Sequence, residues 1–149
     1  MTQSFWLFGS YLTILADRTT TGGQYDLLEG YFPPGTQTPL HRHTRYSKQV
    51  YVLEGEVTIW TDVQKIEIGT GEIFLIPVGT PHVVGAIGDE PARGLIVAAP
   101  SAFARLVATV GTQERADPLD LELFNRISAE IGDEVLVPPG TLPSAATKM

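Results

Sequence analysis

Up to Pro100 the chain is cut into short segments rich in Val, Ile, Tyr and Leu, separated by turns made from glycine, proline or Thr-Asp. They are Tyr11 to Ala16, Tyr25 to Phe32, Gln49 to Glu54, Glu56 to Trp60, Lys65 to Ile68, Ile73 to Ile76, His82 to Ala86 and Arg93 to Ala98. β-Branched and aromatic side chains suit a pleated, half-buried surface, and runs this short fit strands rather than helices. A series of short strands at regular spacing predicts an all-β sandwich or barrel, in which closure hides the sheet edges. A chain of 149 residues can bury about 70% of its unfolded surface around one core. One domain over residues 1–149 is therefore expected, with the barrel occupying about 1–100.

Past Pro100 the period changes. Ser101 can cap a helix whose apolar residues Phe103, Leu106, Val107 and Val110 follow helical spacing, with Gly111 placed to end it. For a second helix, Asp117 is a good N-cap, Pro118 fits the first position, Asp120 adds negative charge to the first turn and Gly132 follows Ile131 as a stop. Leu123, Phe124, Ile127 and Ile131 form its apolar face. Both helices are expected to cover the barrel from outside, in a helical C-terminal extension over about 101–137. The Pro-, Ser-, Ala- and Thr-rich tail 138–149 is expected to be loosely held.

The chemistry is concentrated in two segments. The first runs from Gly35 through His41, Arg42 and His43, then through Gln49 to Gly55; the second runs from Gly71 through Pro77 and Gly79 to His82. Histidines at i and i+2 in an extended segment point to one face, so their imidazoles can converge on one ion. A glycine turn and a Pro77–Gly79 turn deliver His82 at the start of the next strand. The chain has three histidines and no cysteine. Any metal must therefore sit on nitrogen and oxygen ligands, and neither a disulfide framework nor a cysteine nucleophile is available.

In the spacing of Gly35, His41, His43, Gly55, Gly71, Pro77, Gly79 and His82, the chain resembles the two cupin motifs. Thr21-Gly-Gly before Tyr25, the run Glu29 to Gly35, and Ile131-Gly132 followed by Pro138-Pro139 are similar to single-domain cupins of the quercetin 2,3-dioxygenase type. The resemblance implies an antiparallel double-stranded β-helix, or jelly-roll barrel, with C-terminal helices and one divalent ion per chain on His41, His43 and His82. Iron, nickel, zinc, manganese or copper would suit such ligands. The chain departs from the family at two positions: Lys48 stands where the family's glutamate ligand would be, and Ala86 where the second motif often has Asn. Gln49 cannot stand in for the glutamate without a bulge, because strand alternation places it on the opposite face. The glutamate's role as ligand and base then falls vacant, or a neutral Lys48 amine takes over as the catalytic base. Near a divalent ion Lys48 is expected either to have a lowered pKa or to turn toward Glu54 or Glu72. Trp60, Tyr51 and Phe74 are expected in the core.

Two functions follow from the resemblance: a dioxygenase-like metalloenzyme for a small enolisable or aromatic hydroxyl compound, or a noncatalytic cupin that binds or senses a small molecule. A Lewis-acid isomerase or epimerase is a third. The net charge of −7, with ten Lys and Arg scattered along the chain, argues against nucleic acid. The apolar stretch Phe5 to Phe8 is too short for a membrane span or signal peptide. A cytoplasmic protein with a small, anionic ligand is expected. Phe5 to Ala16, apolar on a small barrel, is expected to pair with a neighbouring subunit and form a homodimer.

Overall fold

The computed structural model describes residues 2–137. Twelve strands and three helices are found among them. The strands are β1 (Gln3–Leu7), β2 (Ser10–Ala16), β3 (Asp26–Phe32), β4 (Thr36–Gln37), β5 (Leu40–His43), β6 (Ser47–Glu54), β7 (Glu56–Thr61), β8 (Lys65–Gly69), β9 (Ile73–Ile76), β10 (His82–Ala86), β11 (Ala92–Ala99) and β12 (Asp133–Val137). The helices are α1 (Arg18–Thr21), α2 (Phe103–Val110) and α3 (Leu121–Ile131). One sheet has the order β1-β2-β3-β11-β6-β9 and the other β12-β5-β10-β7-β8, with β4 paired to β10. Every pairing is antiparallel. β1, β2 and β3 are neighbours, as are β7 and β8, but β11 lies between β3 and β6, and β10 between β5 and β7, which are the crossovers of a jelly roll.

Inward-facing residues of the two sheets make the core. Leu28, Val52, Ile59 and Ile76 are completely buried, each stabilising the fold by about 1.5–3 kcal/mol relative to exposure. Strand alternation sends Val50 and Val52 inward and leaves Tyr51 37% exposed, so the expected core role of Tyr51 does not hold. Trp60 is buried and Phe74 packs partly against the core, as expected.

The helices differ from expectation at their starts. Ser101 does not cap α2: its hydroxyl donates to the Tyr25 carbonyl at 2.8 Å. The cap comes instead from Asp26 of β3, whose Oδ2 accepts from the Ala102 and Ala104 amides, each at 2.9 Å. A buried carboxylate from a distant strand thus replaces the local hydroxyl, which sequence-local capping rules cannot foresee. Asp117 is likewise not the cap of α3, because its side chain accepts from the Glu114 amide. The helix starts three residues later, with Asp120 accepting from the Leu123 amide at 3.0 Å.

Gly132 ends α3 as expected, at φ 86°. A Cβ there would lie 2.8 Å from both Arg45 Cγ and Thr44 Oγ1, so the left-handed turn and the close approach both require glycine. The turn does not lead into a loose end: the C-terminal extension, read as helical over about 101–137, closes with strand β12 beside β5. The tail 138–149 lies outside the described residues. No helix among those described is long and apolar enough to cross a membrane.

Replacing the distant cap tests this account. Asp26→Ala is expected to lower stability by about 1–2 kcal/mol, and Ser101→Ala by less than about 0.5 kcal/mol, in urea unfolding followed by circular dichroism. Equal losses would show that Asp26 does not act as the cap.

Candidate metal centre

The rung β12-β5-β10 assembles the centre. β5 lies between the other two strands and turns His41 and His43 to the same inward face. His82 of β10 stands directly opposite His41, and Asp133 of β12 directly opposite His43. Gly79, at φ 83°, makes the turn before β10 and donates its amide to the His43 carbonyl at 2.7 Å. The second histidine segment is thereby fastened to the first.

One nitrogen from each of the three imidazoles lies within 4.8 Å of the others, an arrangement that could hold one ion. Ring centroids are separated by 4.3 Å for His41 and His82, 4.8 Å for His41 and His43, and 5.0 Å for His43 and His82. Each Nδ1 faces away from the cluster toward an oxygen. His41 donates to the Pro39 carbonyl at 2.7 Å, His82 to the Thr80 carbonyl at 2.8 Å, and His43 to Asp133 Oδ1 at 2.7 Å. A carbonyl only accepts, so these bonds set the Nδ1–H tautomer and leave the lone pair on Nε2. The Nε2 atoms of His43 and His82 are buried and, among the described residues, have no hydrogen-bond partner. A buried polar atom without a partner costs about 1–3 kcal/mol, and a divalent cation would satisfy these lone pairs. The donor set therefore fits a metal.

The electrostatics keep the rings neutral. Burial pushes His82 down to about 3 and His41 well below the ordinary histidine value, with the neighbouring imidazoles adding to both. Burial also lowers His43, against the opposing pull of the Asp133 hydrogen bond. Asp133 gives its second oxygen to the Tyr46 hydroxyl at 3.0 Å. Burial, followed by the nearby Asp133 charge, raises the Tyr46 phenol well above its usual value and keeps it a donor.

Lys48 projects from β6, on the opposing sheet, into the same cavity as His41, His43 and Asp133. It remains inside and does not turn toward Glu54 or Glu72. Glu54 pairs with Arg93 at 3.0 Å, and Glu72 accepts from the Gly69 amide at 2.8 Å. The Lys48 ammonium lies 3.8 Å from the centroid of the Phe103 ring. Burial draws its pKa down to about 8, with Asp133 pulling the other way. Gln49 points to the other face, as alternation demands, and is not buried.

The cavity offers about 60 Å³ for the centres of water-sized molecules. Its far wall is made by the helices expected to cover the barrel, through Phe103 and Leu106 of α2 and Phe124 of α3, joined by Phe8 from the β1–β2 turn. Phe8 adopts φ 48° and meets Phe124 edge to face, with centroids 5.3 Å apart. A left-handed non-glycine residue costs about 1–2 kcal/mol, which burial and the aromatic contact offset. The sequence reading missed Asp133, Tyr46, Phe8 and Phe103 as parts of the site. Asp133 carried one weak signal, its place directly after the Gly132 stop, but its partner His43 is 90 residues away.

Lys48 makes a pH prediction for the metal-free protein. Its folded pKa of about 8 lies below the ordinary lysine value of 10.5, so the unfolded chain binds more protons between these values and stability rises with pH across that window. Lys48→Met is expected to remove that rise and to raise stability at pH 7 by roughly 2–3 kcal/mol. Unfolding of both proteins in urea from pH 7 to 10.5 checks it; parallel pH profiles would contradict the buried ammonium.

Comparison with known proteins agrees with this architecture. The family model described as Cupin domain matches residues 29–98, which include all three histidines. Quercetin 2,3-dioxygenase of Bacillus subtilis is 28% identical over 111 residues, covering 74% of this chain and 31% of that protein. An uncharacterized protein of Methanocaldococcus jannaschii is 34% identical over 79 residues, covering 53% of this chain and 63% of that one. The chain thus spans less than two thirds of either relative's length. Among solved structures, the polyketide cyclase RemF from Streptomyces resistomycificus superposes with a TM-score of 0.60 at 25% identity, over 67% of this chain and 75% of that one. With its two antiparallel sheets closed around a three-histidine cluster, the chain has the cupin fold and contains a cupin domain over residues 29–98.

Proposed function

We propose that the protein is a metal-dependent cupin enzyme holding one divalent ion on the Nε2 atoms of His41, His43 and His82, with a small enolisable or aromatic hydroxyl compound as substrate. The observation that carries this reading is the pair of buried Nε2 atoms that have no partner among the described residues, each on a ring whose other nitrogen is already engaged. When bound, the ion supplies Lewis-acid polarisation of a substrate oxygen and, if redox-active, electron transfer with dioxygen. The chain's own residues do the rest. Asp133 orients His43 and increases its donor strength, while the Pro39 and Thr80 carbonyls orient the other two rings. The aromatic cover excludes water. Lys48 is the cavity's other ionisable nitrogen and holds a proton at Nζ, close enough in pKa to neutrality to exchange it with substrate. The relationships to a quercetin 2,3-dioxygenase and a polyketide cyclase support chemistry at an enolisable or hydroxylated carbon.

A second reading, a noncatalytic cupin that binds a small molecule, is favoured by Lys48 in place of the usual acidic ligand. Dioxygen uptake or substrate turnover by the metal-loaded protein separates the two readings. Metal analysis of protein purified without a histidine tag is expected to find about one divalent ion per chain. The His41→Ala, His43→Ala double variant is expected to retain less than about a tenth of that amount. Unchanged metal content in the double variant would end the proposal.

Homodimerisation belongs to the same reading. β1 is the edge of its sheet, paired on one side with β2 of its own chain, while the Thr112 segment covers the other side at Trp6 alone. Light scattering at micromolar concentration is expected to give twice the chain mass, and deletion of residues 1–9 to give a monomer. A monomeric full-length chain would exclude the dimer.

A further inference from the structure

The cavity contains a cation with no ion-pair partner in contact with it. Lys48 is 6% exposed, and among the described residues its ammonium has no ion pair or hydrogen bond. The Asp133 carboxylate favours the charged form only from a distance: its oxygens accept from His43 and Tyr46, and it makes no direct ion pair with Lys48. The Phe103 ring at 3.8 Å offers a cation–π contact, which recovers only part of what desolvation of an ammonium costs. The histidines add no negative charge, and a bound divalent ion would add positive charge. Apart from this polar end, the walls are hydrocarbon: Leu12, Val50, Val84, Ile96, Leu106 and Phe124. The site is therefore cationic at one end, apolar at the other, and narrow.

Size sharpens the chemistry. About 60 Å³ for water-sized centres, well under the roughly 150 Å³ of a cavity that holds a benzene ring, leaves room for only a few non-hydrogen atoms. An aliphatic chain of a few carbons with a planar anionic head matches both the volume and the polarity. A fused aromatic ring system is too large.

We propose that this pocket takes a short aliphatic monocarboxylate or its enolisable oxo derivative, with the carboxylate against the Lys48 ammonium and the carbons under Phe103 and Phe124. The inference rests on the cavity being the functional site, and it narrows the substrate from aromatic hydroxyl compounds to small aliphatic acids. It also gives Lys48 a definite task in its protonated form, as the anchor for the anion with which it would exchange its proton.

Calorimetric titration of the protein as purified, with propionate, its neutral isostere propionamide, and benzoate, tests the proposal. Propionate is expected to bind at least about tenfold more tightly than either of the others, and Lys48→Met is expected to weaken propionate at least about tenfold with its metal content unchanged. The comparison of propionate with propionamide needs no variant, so it stands even if Lys48→Met folds poorly. Equal binding of acid and amide, no binding of propionate, or full affinity in Lys48→Met would each overturn the inference. Repeating the titration after chelation separates this inference from the metal reading. Lys48-dependent propionate binding in a protein that never carried metal would refute the metal reading and support the anchor. Binding that vanishes on chelation and ignores Lys48→Met would place the anion on the metal and refute the anchor.

Discussion

The hydrogen bond from His43 Nδ1 to Asp133 is the interaction on which the rest of the site depends. It fixes the tautomer of a buried imidazole, holds the ring's rotation, and gives an otherwise costly buried carboxylate a partner. The second Asp133 oxygen locks Tyr46, whose ring lies 4.4 Å from that of His43. One carboxylate therefore braces the imidazole both by hydrogen bonding and through the aromatic neighbour packed beside it. That carboxylate is in reach only because Gly132 turns the chain out of α3 and into register beside β5.

Much of the barrel was legible in the sequence because its strands obey rules that act over a few residues. Ile73–Ile76 and His82–Ala86 have the bounds that alternation and flanking turns imply, and the others shift by only a residue or two. The histidines were legible for the same reason, since a pair at i and i+2 shares a face whatever the strand's partner. What escaped depends on partners distant in sequence. β4 and β5 are too short and too polar to declare themselves, and are held in place by β10. The cap of α2 sits on β3, the start of α3 was placed at the wrong aspartate, and β12 has no strand signal apart from the edge it joins. Lys48 was read as a departure from a motif, but its burial under Phe103 required knowing where α2 lands.

Two opposing electrostatic demands meet in one small volume. The imidazoles are tuned to stay neutral so that their lone pairs remain available, and burial is sufficient for that. The same burial makes the Lys48 ammonium uncomfortable. Such local frustration at an otherwise well-packed core is characteristic of sites that retain polar groups for a purpose other than stability. Covering the mouth with aromatic rings intensifies both effects, since removing water lowers the local dielectric in which these charges interact.

The position of β12 also sets an order of events during synthesis. Asp133 pairs with a histidine made 90 residues earlier, and this contact can form only after α2 and α3 have emerged from the ribosome and folded back. A nascent barrel that already contains His41, His43 and His82 would still lack the brace on His43 and the helical part of the aromatic cover. The braced form of His43 is thus reserved for a chain completed through its final described strand. The same contact is expected to form late in refolding, because it closes one of the longest loops in the fold.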